Sequence, residues 1–198
     1  MRQLNGYAQA KAYTDQERLP VGGYVIKILN VDYQSNEWGD VIVLSFDIIE
    51  GDHKDFFSQN YKSQDKEDKK WKGNYRLRVP KDDGSEQDEW TMRRFKTVIS
   101  AFEESNPGYH WNWNERTLKE KTIGAIFNNK EYEFENRHGF YTNCHSLVAA
   151  EKIRSGKFKI PADTLLKQRD NNGYPAGATP GEDGFMNIPD GIDDELPF

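Results

Sequence analysis

In the stretch "DVIVLSFDIIE", Ile42, Leu44, Phe46 and Ile48 occupy every second position. Successive side chains of a strand point to opposite faces, so this parity commits one face to a core and argues against a helix there. The preceding run, "GGYVIKILNVDY", is rich in β-branched and aromatic residues. Between the two, "QSNEWG" places Asn36 and Gly39 in turn positions, so the pair reads as a hairpin. A third strand is expected in "NYRLRVP", with Tyr75, Leu77 and Val79 on the core side and Arg76 and Arg78 on the other. The apolar period then changes. Met92, Phe95, Val98, Ile99 and Phe102 recur at helical spacing, Ser85 stands where a cap is needed, and "NPG" at 106–108 stops the run. "KTIGAIFNNKEYEFE" and "GFYTNCHSLVAAEKI" read as a long hairpin closed by "NRHG".

Three strands, a helix, then two strands is the order of the OB-fold. The expected architecture is therefore mainly β: a five-stranded, partly open barrel with one helix between strands three and four. The expected division is an N-terminal extension over 1–20, the barrel domain over 21–169, and an acidic tail over 170–198. The total charge is −6, but residues 170–198 hold seven carboxylates and no Lys or Arg. That segment alone is −7, which leaves +1 on residues 1–169. With five Gly, four Pro and no apolar periodicity, it buries too little to offset the entropy of ordering and is expected to be disordered.

Several function classes are set aside by what the chain lacks. Cys144 is the only cysteine, so no intrachain disulfide can form, and a reducing cytoplasm is the expected compartment. No apolar run approaches the roughly 18 residues of a membrane span, and the N-terminus has no apolar signal core. His110, His138, Cys144 and His145 show no zinc spacing, and Cys144 and His145 would point to opposite faces of a strand. Phosphate-loop and nucleophile-elbow motifs are missing too. The expectation is a non-enzyme without metal or cofactor.

Binding single strands without reading bases needs cations for phosphates and aromatic faces for stacking. The segment "YKSQDKEDKKWKGNYRLR" holds both: Lys62, Lys66, Lys69, Lys70, Lys72, Arg76 and Arg78, with Tyr61, Trp71 and Tyr75 interleaved, against Asp65, Glu67 and Asp68. The plain alternative is a solvated lysine-rich loop. Trp38, at the first hairpin tip, is a second stacking candidate. Arg137 and His138, at the second turn, are expected to face the same cleft. The "YHWNW" stretch at 109–113 is assigned to the core instead, as a plug after the helix.

The final residues, "DDELPF", resemble the acidic C-terminal tip of bacterial single-stranded DNA-binding proteins. The body departs from the cellular members through its greater length, its 51–74 insertion and its N-terminal extension. It is more similar to phage-encoded OB-fold single-stranded DNA-binding proteins, over "LKEKTIGAIFNNKEYEFENRHGFYTNCHSLVAAEKIRSGKFKIP". The resemblance implies a tip that binds replication, recombination or repair proteins of a host bacterium. Phe198, stiffened by Pro197 and preceded by Leu196, would fill an apolar pocket, while Asp193, Asp194 and Glu195 would meet its basic rim. Two other readings stay open: an adaptor whose barrel binds protein, and a single-strand annealing protein. Self-association is also left open.

Overall fold

The structure is a computed structural model that describes residues 18–37, 39–65, 67–134 and 137–166. Its elements in chain order are β1 (Gly22–Asn36), β2 (Gly39–Ile48), α1 (Phe56–Ser63), β3 (Asn74–Arg78), α2 (Glu86–Ser105), a 3₁₀ turn (Glu115–Leu118), β4 (Thr122–Phe134), β5 (Arg137–Val148) and α3 (Ala150–Arg154). The strands form one antiparallel sheet in the order β3-β2-β1-β4-β5.

Strand β1 carries the connection. Residues 22–27 pair with β4, and residues from Ile26 onward pair with β2, so one long strand serves both halves of the sheet. A bulge between Ile28 and Asn30 moves the inward parity from Ile26 and Ile28 to Val31. On β2 the inward set is Ile42, Leu44, Phe46 and Ile48, all buried as their alternation predicts. These residues meet Leu77 of β3, Ile123, Ala125 and Phe127 of β4, and Leu147 of β5 in one core.

Helix α2 closes that core with Phe95, Val98, Ile99 and Phe102. Ser85 caps it, its hydroxyl accepting from Asp88 N at 3.2 Å, and the helix ends just before Asn106. Met92 is the exception to the predicted stripe: it is 36% exposed, and the buried apolar face begins one turn later, at Phe95.

Four boundaries differ from the sequence expectation. Strand β1 runs on through Asn36, so the first turn is shorter than "QSNEWG" suggests. Arg137, His138 and Gly139 belong to β5 rather than to a turn. "AAEKI" leaves the strand to form α3. Leu19, placed in the extension by its sequence, is a buried core residue whose carbonyl accepts from the Thr142 hydroxyl.

The insertion between β2 and β3 holds an unpredicted helix, α1. Its first residue follows Asp55, whose side chain makes no cap. The cap comes instead from Asp47 on β2, only 3% exposed, whose carboxylate accepts from Ile48 N, Phe57 N and Ser58 N at 2.9–3.0 Å. Phe57 then packs on Phe46 and Phe127, with centroids 5.4 and 6.3 Å away. A carboxylate at a helix N-terminus satisfies orphan donors and complements the helix dipole at once.

On the outer face, α3 and Phe158 cover β1 and β4. Gly23 leaves the room for this: a Cβ there would lie 2.6 Å from Phe158 Cζ and 2.8 Å from Ile153 Cδ1. Arg154 ties α3 to the exit of β2 through a two-nitrogen grip on Glu50. No helix among the described residues is long and apolar enough to cross a membrane.

Candidate nucleic-acid interface

Strand β3 is an edge strand of five residues. Its register sets Arg76 beside Val43 and Asp32, and Arg78 beside Val41 and Gln34, across three strands. Alternation turns these rows away from the core, while Tyr75 and Leu77 turn into it. The sequence placed the two arginines correctly on the outer face.

Tyr75 requires a correction as a stacking residue. It is 7% exposed and belongs to the core, and burial raises the pKa of its phenol even though Arg94 hydrogen-bonds to it. A base cannot reach that ring.

Trp71 is half-buried and packs against the core. Its indole N–H donates to two carbonyls, Phe46 O at 3.2 Å and Gly73 O at 3.1 Å. The ring is thereby held in place, tilted against exposed Tyr61 with centroids 5.8 Å apart. Lys69 Nζ lies 6.0 Å from the Tyr61 ring centre and donates to Lys62 O at 3.3 Å. Gln64 fixes the loop by pairing its side-chain amide with the backbone N–H and C=O of Lys70, each bond 2.9 Å. Lys62, Lys69, Lys70 and Lys72 are all exposed around this knot. Among the described residues the segment thus forms a hydrogen-bonded shelf whose lysine side chains stay in solvent. Lys66 and Trp38 lie outside the described residues, as do Asp193, Asp194, Glu195, Leu196, Pro197 and Phe198.

The second hairpin adds a platform that, apart from Arg137, lies outside the expected site residues. Pairing of β4 with β1 ends at Phe127, opposite Gly22, so the rest of β4 and its partner β5 extend as an arm. Residues 162–166 clasp the edge that β1 leaves open. Thr164 exchanges backbone bonds with Asn129 and Glu131, Asn128 donates to Ala162 O, and Leu166 N donates to Glu131 Oε2.

The register sorts the arm by face. Lys130, Tyr132 and Phe134 share the outer face with Tyr141, Gly139 and Arg137, their respective partners. Glu131 and Glu133 share the opposite face with Phe140 and His138. Arg137 and His138 therefore do not face one cleft. His138 instead meets Glu131, whose carboxyl pKa is lowered, first by the Leu166 N–H and then by His138. Tyr132 and Tyr141 lie 6.3 Å apart, and Phe134 is exposed. The signal was present in "KEYEFE", where acids and aromatics alternate at the period of a strand.

Phe127 and Cys144 lie on the acidic side of the arm and are buried in the core, so the aromatic side is the outer one. Arg76 and Arg78 occupy that same outer face at the far edge of the sheet. Cys144 is inert by environment, because full burial pushes its thiol pKa up. Among the described residues no group of three or more His, Cys, Asp or Glu is gathered to hold a metal ion.

The "YHWNW" stretch splits. Tyr109 and Trp111 pack on the core, as expected, but Trp113 is 79% exposed.

No known protein family matches the chain, and no curated protein is similar to it.

Proposed function

We propose that the protein binds single-stranded DNA without sequence preference and recruits partner proteins through its terminal "DDELPF". The observation that carries this reading is the sorted arm. Tyr132, Phe134 and Tyr141 share a face with Lys130 and Arg137, while Glu131 and Glu133 are turned away. Phe134 is exposed, and Tyr132 and Tyr141 are half-buried. Ring faces beside cations accept any base and the phosphates next to it, which suits a strand but not a duplex whose bases are already stacked. Arg76 and Arg78 extend the cationic surface on the same face of the sheet.

The strand order supports an OB-type barrel as the scaffold. One long strand pairs with both β2 and β4, and α2 stands between β3 and β4. Tyr75 of edge strand β3 and Cys144 of edge strand β5 belong to the same core.

Titration of labelled oligo(dT) and of duplex DNA of equal length, across a salt series, tests this function. Preferential oligo(dT) binding that weakens with salt is expected. Failure to bind oligo(dT) at moderate salt would leave the adaptor reading, which rests on the terminal stretch alone.

A further inference from the structure

Trp113 combines two unusual properties. It is the most exposed of the large apolar side chains described, at 79%, and its φ is +63°. A bulky residue in the left-handed region is a conformational outlier, tolerated only where its surroundings over-determine it. Here they do. Trp111 N donates to Glu103 Oε1 at 2.9 Å, Arg116 N donates to Asn114 Oδ1 at 3.1 Å, and the Thr117 hydroxyl donates to Asn114 O at 2.7 Å. Tyr109 Oη and Thr117 Oγ1 are 2.9 Å apart, and Lys121 Nζ sits 4.7 Å over the Tyr109 ring. The turn is pinned on both sides, and the indole it carries projects outward with Trp111 as its ring neighbour, 6.3 Å away.

The chain on either side of Trp113 is polar and exposed. The Arg116 side chain is 87% exposed, with Glu115 4.0 Å away, and the His110 side chain is 88% exposed. The 3₁₀ turn that follows packs on β1. Glu115 at its start influences Tyr33, another exposed ring, on the face of the sheet opposite Arg76 and Arg78.

We infer that Trp113 is a nucleobase-stacking residue, forming a second contact for single-stranded DNA away from the outer sheet face. This rests on the single-strand reading above. A rigidly presented ring loses little entropy on binding, and its π-face accepts every base. Arg116, three residues on and exposed, supplies a guanidinium for an adjoining phosphate. Tyr33 lies on the face of the sheet opposite Arg76 and Arg78, so a strand that passes Trp113 and also reaches those arginines must be long enough to extend from one face to the other.

The test is Trp113→Gly in the full chain, since glycine adopts positive φ without strain. The variant should unfold at the same or higher urea concentration than the native protein. Its affinity for a long oligo(dT) should fall about tenfold, the order expected when one base–aromatic stack is removed. Affinity for the shortest oligo(dT) that binds the native protein should change little. Oligo(dT) should also quench tryptophan emission less in the variant than in the native chain. Equal affinity and equal quenching in the folded variant would overturn the inference while leaving the proposed function intact. Should that variant instead change only its self-association in sedimentation, the ring belongs to a protein contact and the inference falls. Absence of oligo(dT) binding by the native protein would overturn both.

Discussion

Tyr132 lies over Gly139, its cross-strand partner: a Cβ built on Gly139 would come within 3.2 Å of the Tyr132 ring. The glycine lets the ring lie down on the outer face of the arm. Gly139→Val should lift the ring and weaken oligo(dT) binding without unfolding the barrel. Tyr132→Ala should cost about 1–3 kcal/mol if a base stacks there. Fluorescence anisotropy with oligo(dT) measures both. Unchanged affinity in the folded variants would remove the arm from the interface.

Arg76 and Arg78 make a different kind of contribution. Phosphate contacts carry no sequence information, so replacing both with Ala should weaken binding to all sequences alike. The slope of log affinity against log salt should flatten by roughly 0.7 for each phosphate that is no longer neutralised. A sequence-dependent loss, or an unaltered slope, would place the strand elsewhere.

Asp47 controls the shelf from a distance. Its carboxylate takes three backbone N–H groups, two of them at the start of α1. Asp47→Ala should destabilise the protein by about 1–3 kcal/mol, since these donors are left without a partner. A lower urea midpoint with an unchanged slope is the expected signature. Asp47→Asn, which keeps one acceptor oxygen, should lose less.

Acid should loosen the clasp at residues 162–166. The Leu166 N–H and His138 hold the Glu131 carboxyl below its ordinary range. A group whose folded pKa is depressed contributes stability above its unfolded pKa and loses it as pH falls through the folded one. The bond from Leu166 should therefore be complete near neutrality and disappear on the acid side of the normal glutamate range. The Leu166 amide resonance should follow that titration, and Glu131→Gln should abolish the step. A pH-independent Leu166 signal in the native chain would show that the clasp does not depend on this carboxylate.

Deleting residues 190–198 should leave oligo(dT) affinity intact or slightly higher, chiefly at low salt, while ending capture of partner proteins. If the protein binds DNA as proposed, a segment of net −7 linked to a body of net +1 would compete intramolecularly with phosphates, at an effective concentration on the order of millimolar. Screening over about 8 Å at physiological salt keeps that competition modest. Phe198→Ala keeps every side-chain charge and should lose partners alone. Loss of DNA binding with partners retained would assign the tip to the DNA site.

Whatever depends on neighbours a few residues apart is legible in the linear order of residues. The parity of Ile42, Leu44, Phe46 and Ile48, the outward setting of Arg76 and Arg78, and the Ser85 cap are all local, set by the strand period or by one side-chain bond to a nearby amide. Long-range packing settles the rest. Helix α1 forms where a carboxylate from β2 caps it and where Phe57 finds Phe46 and Phe127, contacts no short window contains. Alternation in "KEYEFE" separates Tyr132 and Phe134 from Glu131 and Glu133, but only the pairing register brings Arg137 and Tyr141 onto the aromatic side. Tyr75 turns to the core as its strand parity predicts, which removes it from the basic segment's stacking rings, whereas Trp71 looks like a free ring until two backbone carbonyls hold it. Trp111 and Trp113 differ by two positions, yet one packs inward and the other stands in solvent, because a pinned turn at positive φ carries the second outward. Spacing sets which way a side chain starts out; whether it ends up buried depends on what the fold brings over it.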